Sequence, residues 1–358
     1  MKTWDAIIIG GGIIGLTLAI ELQKRGAKVL VVERGEPGRE ASHAAAGMLA
    51  ECTLETPPVL QPLATASARM YPEFVHDLHD ESGFDVDLRD AGTLVFPPPE
   101  HVHDRRGFTT ESLLPAPLSE LEPALADLKR PAFFLKERSV DPRALTSAAL
   151  RTAKHREVDI SSGNPVTSVL LSDGHVTGIS TEKTSYAAPV VVNCAGAWAG
   201  DISPLPFPTR PVKGQMLSTV VGSYKILRHV IRAPEVYLVP RSDGRVLIGA
   251  TIEEAGYDKR TVPETIHRLH QAAIRLVPAL GQGRMLEAWA GLRPGTPDDL
   301  PILGPAEIPG YFVATGHFRD GILLAPVTAR VMAQVITGVT PEYDISPFSM
   351  ERFERRAA

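Results

Sequence analysis

The chain opens on a short apolar run, Trp4-Asp5-Ala6-Ile7-Ile8-Ile9, that stops at Gly10-Gly11-Gly12. A run this short, rich in β-branched residues and closed by glycine, predicts a buried strand. Ile13 to Arg25 reads as a helix, ending at Gly26, a residue suited to the left-handed position after a helix. Lys28-Val29-Leu30-Val31-Val32 is a second β-branched run, ending at Glu33. Strand, glycine turn, helix and strand in this order make a βαβ unit, whose strands pair in parallel.

The same alternation returns later. Asp141-Pro142 predicts an N-cap and first helical residue for a helix reaching about Arg156. Val166 to Leu171 and His175 to Ser180 flank Asp173-Gly174, a hairpin signal, and Pro189 to Cys194 predicts another buried strand. Residues 97–123 are proline-rich and predict an extended connection over the surface. Residues 207–293 have an antiparallel pattern: Val236 to Pro240 and Arg245 to Ala250 are joined across Asp243-Gly244. A helix from about Pro263 to Leu276, a strand from Tyr311 to Thr315 and a helix from Gly321 to Ile336 complete the pattern. The expected fold is α/β (α+β overall), with a Rossmann-like dinucleotide-binding domain built from residues 1–84, 141–206 and 296–358. A second, mostly antiparallel-sheet domain, expected from residues 85–140 and 207–295, interrupts it twice.

Composition narrows the class. A length of 358 residues suits about two domains. The 37 basic and 42 acidic residues give no electrostatic reason to expect nucleic acid or an anionic membrane as partner. The longest apolar run, Ala6 to Ile20, holds four glycines and falls short of the ~20 residues of a membrane span. The first strand leaves no room for a signal peptide, and only Cys52 and Cys194 are present, which suits a reducing compartment. The expectation is a cytoplasmic protein, and a homo-oligomer is compatible with it.

Gly10-x-Gly12-x-x-Gly15 has a mechanical meaning. The first glycine permits the tight turn, the second lets backbone approach a pyrophosphate, and the third lets the helix pack on the strand. The helix start, with Ile13 and Ile14, then offers N–H groups to the phosphates. Glu33, with Arg34 beside it, lies near the spacing of a carboxylate that bonds a ribose hydroxyl. This motif alone does not separate FAD from NAD. Ser42-His43-Ala44-Ala45-Ala46-Gly47-Met48-Leu49 follows, a run of small residues that lets a planar ring lie against backbone, with Ser42 able to bond a phosphate. Neither His76-x-x-His79 nor His267-x-x-His270 has a third ligand at metal spacing, so no metal site is expected. Cys194 reads as packing, and no Gly-x-Ser-x-Gly elbow occurs.

Two further segments are specific: Trp289-Ala-Gly-Leu-Arg-Pro-Gly-Thr-Pro-Asp298 and Gly316-His-Phe-Arg-Asp-Gly-Ile-Leu-Leu-Ala-Pro326. With the glycine fingerprint, Pro211 to Gln215 and Tyr237 to Arg241, they resemble the D-amino-acid oxidase superfamily of FAD enzymes, and within it the glycine oxidases of the thiamine pathway. The resemblance implies a non-covalent FAD, its adenosine over the βαβ unit and its isoalloxazine ring between the domains. His43, Ala44, Ala46, Gly47 and Met48 would line the ring, and Val166, Ala195, Gly196 and Trp198 would flank the cofactor. Gly316, His317, Arg319, Asp320, Gly321, Ile322 and Leu323 would close over its pyrimidine end. A helix starting near Gly321 would aim its positive end at the ring, where charge accumulates on reduction.

By the same resemblance, Arg293 and Tyr237 receive the carboxylate of a small amino acid or amine substrate, and Arg319 borders them; these three are the candidate catalytic residues. A hydride passes from the substrate α-carbon to flavin N5, and oxygen takes the electrons to give hydrogen peroxide. Glu235, Val236 and Ile252 depart from the glycine oxidase pattern, which puts side-chain selectivity in doubt. Three alternatives stay open: an FAD dehydrogenase with another electron acceptor, a non-catalytic flavin-binding regulator, and an NAD-dependent dehydrogenase.

Overall fold

A computed structural model of the chain describes residues 3–51, 56–96, 114–115, 118–125, 128, 131–222 and 226–354. Most of the expected extended connection at 97–123, and Cys52, lie outside these residues. The first apolar run forms the strand Ala6–Ile9, buried along its whole length. It pairs in parallel with Val29–Val32 on one side and Val190–Asn193 on the other. The sheet has six strands in the order Ile302–Pro305, Tyr311–Thr315, Val190–Asn193, Ala6–Ile9, Val29–Val32, Asp159–Ser161. Only the pairing of the first two is antiparallel.

Both faces of this sheet are covered, which is why its strands are continuous apolar runs. Ile8 and Val31 pack beneath the helices Ile13–Lys24, Gln61–Ser82, Pro142–His155 and Ala325–Ile336. Their neighbours Ile7, Ile9 and Leu30 point the other way, against a three-stranded antiparallel sheet made of Val166–Ser172, His175–Thr181 and Ser185–Ala187. Asp141 caps the Pro142–His155 helix as its sequence predicts, its Oδ1 accepting from the Arg143 and Ala144 N–H groups at 2.9 and 3.2 Å.

The second large sheet has eight strands, in the order Arg284–Gly295, Arg210–Val220, Arg245–Gly249, Tyr237–Pro240, Val230–Arg232, Thr93–Val95, Phe133–Leu135, Leu114–Pro115. Alternation along its strands sorts two faces. Leu217, Leu238 and Ile248 pack with the helix Pro263–Leu276. Met216, Val239 and Leu247 face the opposite way, with Tyr237 beside them and Ala46 packed against them. That second face is one wall of the cleft described below.

One expected element is shifted. The helix predicted from Gly321 begins at Ala325, after four turn residues. Pro326 has no N–H, so it cannot close the helical bond to the Ile322 carbonyl. The buried Tyr71 hydroxyl donates to that carbonyl instead. Ser67, also buried, is inserted one step further on: its Oγ donates to the Leu323 carbonyl at 2.6 Å and accepts from the Val327 N–H at 3.3 Å. The helix Gln61–Ser82 thus fastens the turn that precedes the helix Ala325–Ile336. A related exchange occurs at Pro72 within the longer helix, where the Ala68 carbonyl accepts from Arg138 Nη1 at 3.4 Å. Tyr71→Phe leaves the Ile322 carbonyl with only the Ala325 N–H at 3.3 Å, and the lost hydrogen bond should lower unfolding free energy by about 0.5–1.5 kcal/mol. Urea denaturation checks this: the midpoint should fall while the slope stays constant.

Candidate active site

The glycine turn forms one end of a cleft of about 560 Å³, within the size range of small-molecule sites. Gly10 adopts φ +107°, and a Cβ on it would lie 2.5 Å from the Cys194 carbonyl oxygen. A Cβ on Gly15 would lie 2.0 Å from the Gly10 carbonyl oxygen, so the helix reaches the strand only because both positions are bare. Gly12 provides no side-chain cap, and no acidic residue stands in the first turn to repel an anion. Ser42 supplies the missing cap, its Oγ accepting from the Ile13 N–H at 3.0 Å. Glu33, buried at the end of the second strand, accepts from the Gly11 N–H at 2.8 Å and the Gly35 N–H at 2.9 Å. Both of its oxygens keep a lone pair for a sugar hydroxyl. Arg34 lies 4.3 Å over the ring of Trp198, which lines the same end of the cleft.

The small-residue run is held from behind. The His43 carbonyl accepts from Arg143 Nε at 3.2 Å, that of Ala44 from Trp289 Nε1 at 3.1 Å, and that of Ala46 from Arg241 Nη2 at 2.6 Å. The Gly47 carbonyl accepts from the Val140 N–H at 2.8 Å. Four donors from three separate parts of the chain therefore fix this segment before any ligand arrives. It presents Ala44, Ala46, Gly47 and Met48 to the cleft. Burial holds Arg241 down, to about 10, with Asp141 and Asp87 acting in the opposite direction. None of these donors was legible as a site residue, because their partners are backbone carbonyls distant in sequence.

The opposite wall comes from the eight-stranded sheet. Arg293 and Tyr237 lie there on one face, and the space around each is provided by glycine. A Cβ on Gly214 would meet Arg293 Nη1 at 2.4 Å, and one on Gly249 would meet the Tyr237 hydroxyl at 2.7 Å. Arg293 Nη1 donates to the Thr251 carbonyl at 3.1 Å, and among the described residues no carboxylate pairs with the guanidinium. Burial holds Arg293 below its ordinary value; Tyr237 acts the other way and nearby Arg319 adds to the lowering. Burial likewise raises the Tyr237 hydroxyl, with Arg293 opposing. The Tyr237 hydroxyl has the Met216 sulfur at 3.5 Å. A part-buried cation with an open side toward a cleft favours an anionic ligand, which would offset its desolvation.

Most expected residues meet in this one cleft: Gly10, Gly12, Ile13 and Ile14 of the fingerprint, Glu33, Arg34, Ser42, Val166, Ala195, Gly196, Trp198, Tyr237, Arg293, His317, Arg319, Gly321 and Ile322. Five do not line it. Gly15 packs helix on strand, and Gly316, at φ +74°, turns the chain into the closing loop. The Asp320 carbonyl accepts the Leu324 N–H at 2.8 Å, and Leu323 is buried. His43 sits among Arg143, Arg39 and Glu287 outside the lining, where burial foremost lowers its pKa. Burial raises the Asp320 carboxyl to about 6, opposed by Arg319. The helix beyond this loop starts too late to aim its first turn from Gly321 as expected.

His317 is fully enclosed beside Thr328 Oγ1 at 3.1 Å, and burial pushes its pKa down to about 3 from 6.5. A depressed base binds protons more weakly folded than unfolded, so stability is lost as pH falls from 6.5 toward 3. The melting temperature of His317→Gln, relative to the unaltered protein, should therefore rise as pH is lowered across that window. A constant difference would show that His317 does not titrate on unfolding.

A parallel sheet with a glycine-lined phosphate turn, opening into a cleft walled by an antiparallel sheet, defines a nucleotide-cofactor oxidoreductase of two-sheet type. The chain belongs to the DAO family of FAD dependent oxidoreductases, which matches residues 5–335; it is an enzyme of that class and its cofactor is FAD. It is similar to the bifunctional protein ThiO/ThiG of Trichormus variabilis, at 36% identity over 99% of this chain and 56% of that protein. The chain thus spans about half the length of the ThiO/ThiG relatives. It is 32% identical to hydrogen cyanide synthase subunit HcnC of Pseudomonas aeruginosa, over 100% of this chain and 98% of the other. The crystal structure of glycine oxidase from Geobacillus kaustophilus superposes with a TM-score of 0.93 at 31% identity, covering 98% of this chain and 99% of that one. The expected flavin fold and family therefore hold, and NAD as cofactor is set aside. Among the described residues no helix is long and apolar enough to cross a membrane.

Proposed function

We propose that this enzyme oxidises the C–N bond of a small amino acid such as glycine, sarcosine or a small D-amino acid. The observation that carries the reading is the part-buried Arg293 guanidinium, facing the cleft with no carboxylate partner among the described residues. A substrate carboxylate fits it as a two-pronged acceptor, and the Tyr237 hydroxyl can donate to the same group. Ala44, Ala46, Gly47 and Met48 on one side, and the sheet wall on the other, leave a slot for a flat ring and a small substrate. The proposed parts follow the strands: residues 1–84, 141–206 and 296–358 hold the cofactor, and 85–140 with 207–295 hold the substrate. The six-stranded and eight-stranded sheets draw their strands from these two sets respectively.

Gly10, Gly12, Glu33 and Ser42 would hold the FAD along this cleft, and the cofactor would supply the hydride acceptor for the substrate α-carbon. The protein's share is to fix the carboxylate at Arg293 and Tyr237, hold the α-carbon in place and exclude water. No side chain is assigned as a general base; the amine reacts in its neutral form. The released imine hydrolyses to a carbonyl product and ammonia (methylamine from sarcosine), and oxygen is the proposed final acceptor.

Anaerobic mixing with glycine, sarcosine and small D-amino acids tests the reading. Loss of flavin absorbance with one of them supports it, and no bleaching with any amine in the panel overturns it. Peroxide formed on admitting air distinguishes an oxidase from a dehydrogenase that uses another acceptor.

A further inference from the structure

Between the strand Arg245–Gly249 and the helix Pro263–Leu276, residues 251–262 make a loop whose two ends are tied by one side chain. Gln215 is fully buried; its N–H donates to Thr251 Oγ1 at 2.9 Å, its Nε2 to Glu253 Oε1 at 2.8 Å, and its Oε1 accepts from the Val262 N–H at 2.7 Å. Backbone bonds of 2.9 Å in both directions join Glu253 to Lys213, whose buried ammonium lies 3.7 Å from Asp258. The loop has the compact form of an Ω-loop, closed at its base and packed by its own partners.

Its two flanks touch the two halves of the cleft. At the start of the loop, the Thr251 carbonyl accepts from Arg293 Nη1 at 3.1 Å. At the tip, the Tyr257 ring stacks on Trp198 at 5.5 Å and 17°, and its hydroxyl donates to Asp201 at 2.9 Å. Lys259 then pairs with Glu40 at 3.0 Å. Trp198, Asp201 and Glu40 all line the nucleotide end of the cleft. One closed loop therefore spans from the cofactor groove to the carbonyl that steadies the guanidinium.

We propose that Tyr257 is a positioning residue, which through the loop 251–262 couples the cofactor groove at Trp198 to the carboxylate anchor Arg293. The proposal rests on the reading of Arg293 as that anchor. With Tyr257 seated on Trp198 the loop is held, and the Thr251 carbonyl keeps Arg293 aimed into the slot. With the seat removed, the base stays tied at Thr251 and Glu253 and the tip keeps only the Lys259–Glu40 pair; the added freedom of the tip is transmitted to the tied base, and the Thr251 carbonyl aims Arg293 less narrowly. Tyr257 itself is 46% exposed, so its replacement leaves the core intact.

The test uses FAD-saturated protein and glycolate, a small carboxylate without an amine, followed by perturbation of the flavin absorbance. Tyr257→Ala should raise the glycolate dissociation constant about fivefold or more. Tyr257→Phe, which keeps the ring stack, should recover most of that loss. With substrate, Tyr257→Ala should raise the concentration for half-maximal reduction while the limiting rate changes little. A glycolate constant unchanged in Tyr257→Ala at saturating FAD, even with weaker FAD binding, overturns the coupling. Failure of the anchor reading gives a different signature: Arg293→Ala would then bind glycolate as the unaltered protein does.

Discussion

Arg293→Ala should raise the substrate concentration for half-maximal flavin reduction at least about tenfold, the equivalent of losing one charged hydrogen bond worth roughly 1.5–3 kcal/mol. The loss is in binding and orientation together, because the part-buried guanidinium faces the cleft, with Arg319 beside it as a bordering charge. Arg293→Lys should recover only part of the effect, since an ammonium restores charge without the planar pair of donors. Space is not the limit in either variant: Gly214 leaves the position open from the neighbouring strand. Stopped-flow reduction under anaerobic conditions, with FAD held saturating, checks the prediction. A saturation curve identical to that of the unaltered enzyme would remove Arg293 from the site.

A second large effect is expected at the opposite end of the cleft. Gly15→Val should yield a protein that purifies without flavin colour and binds added FAD at least roughly a hundredfold more weakly, or about 2.7 kcal/mol. The first side-chain carbon alone would lie 2.0 Å from the Gly10 carbonyl oxygen and 3.2 Å from the Ile8 side chain, so helix and strand must separate. Separation withdraws the helix start from the phosphates and breaks the alignment of Ile13 with Ser42. Equilibrium dialysis against FAD measures the change, and a normally yellow variant would show that the turn tolerates the shift.

The parts legible in the sequence are those with local causes. The βαβ unit, the Asp141 cap and the hairpin turn at Asp173-Gly174 follow from spacing, side-chain capping and positive φ at neighbouring residues. Arg293 and Tyr237 were accessible through family resemblance, not through pattern. Three features had no sequence signal. The helix Gln61–Ser82 contains Pro62 and Pro72, and half of its buried positions, Ala64, Ala66, Ser67 and Ala68, are small residues that blur its apolar period. The late start of the helix Ala325–Ile336 depends on Ser67 and Tyr71, which are more than 250 residues away in the chain. The clearance around Tyr237 comes from Gly249 on the paired strand, a relation visible only once register is known.

The bed proposed for the flavin ring has a consequence for biosynthesis. Its residues, 43 to 48, emerge early from the ribosome, yet their backbone is fastened by Val140, Arg143, Arg241 and Trp289. A nascent polypeptide halted before Trp289 would own a complete phosphate turn and an unfinished floor. FAD should therefore join as a clasp on an almost finished chain rather than as a nucleus for its first third. Riboflavin shortage should accordingly leave folded, rescuable apoenzyme in the cell instead of degraded fragments.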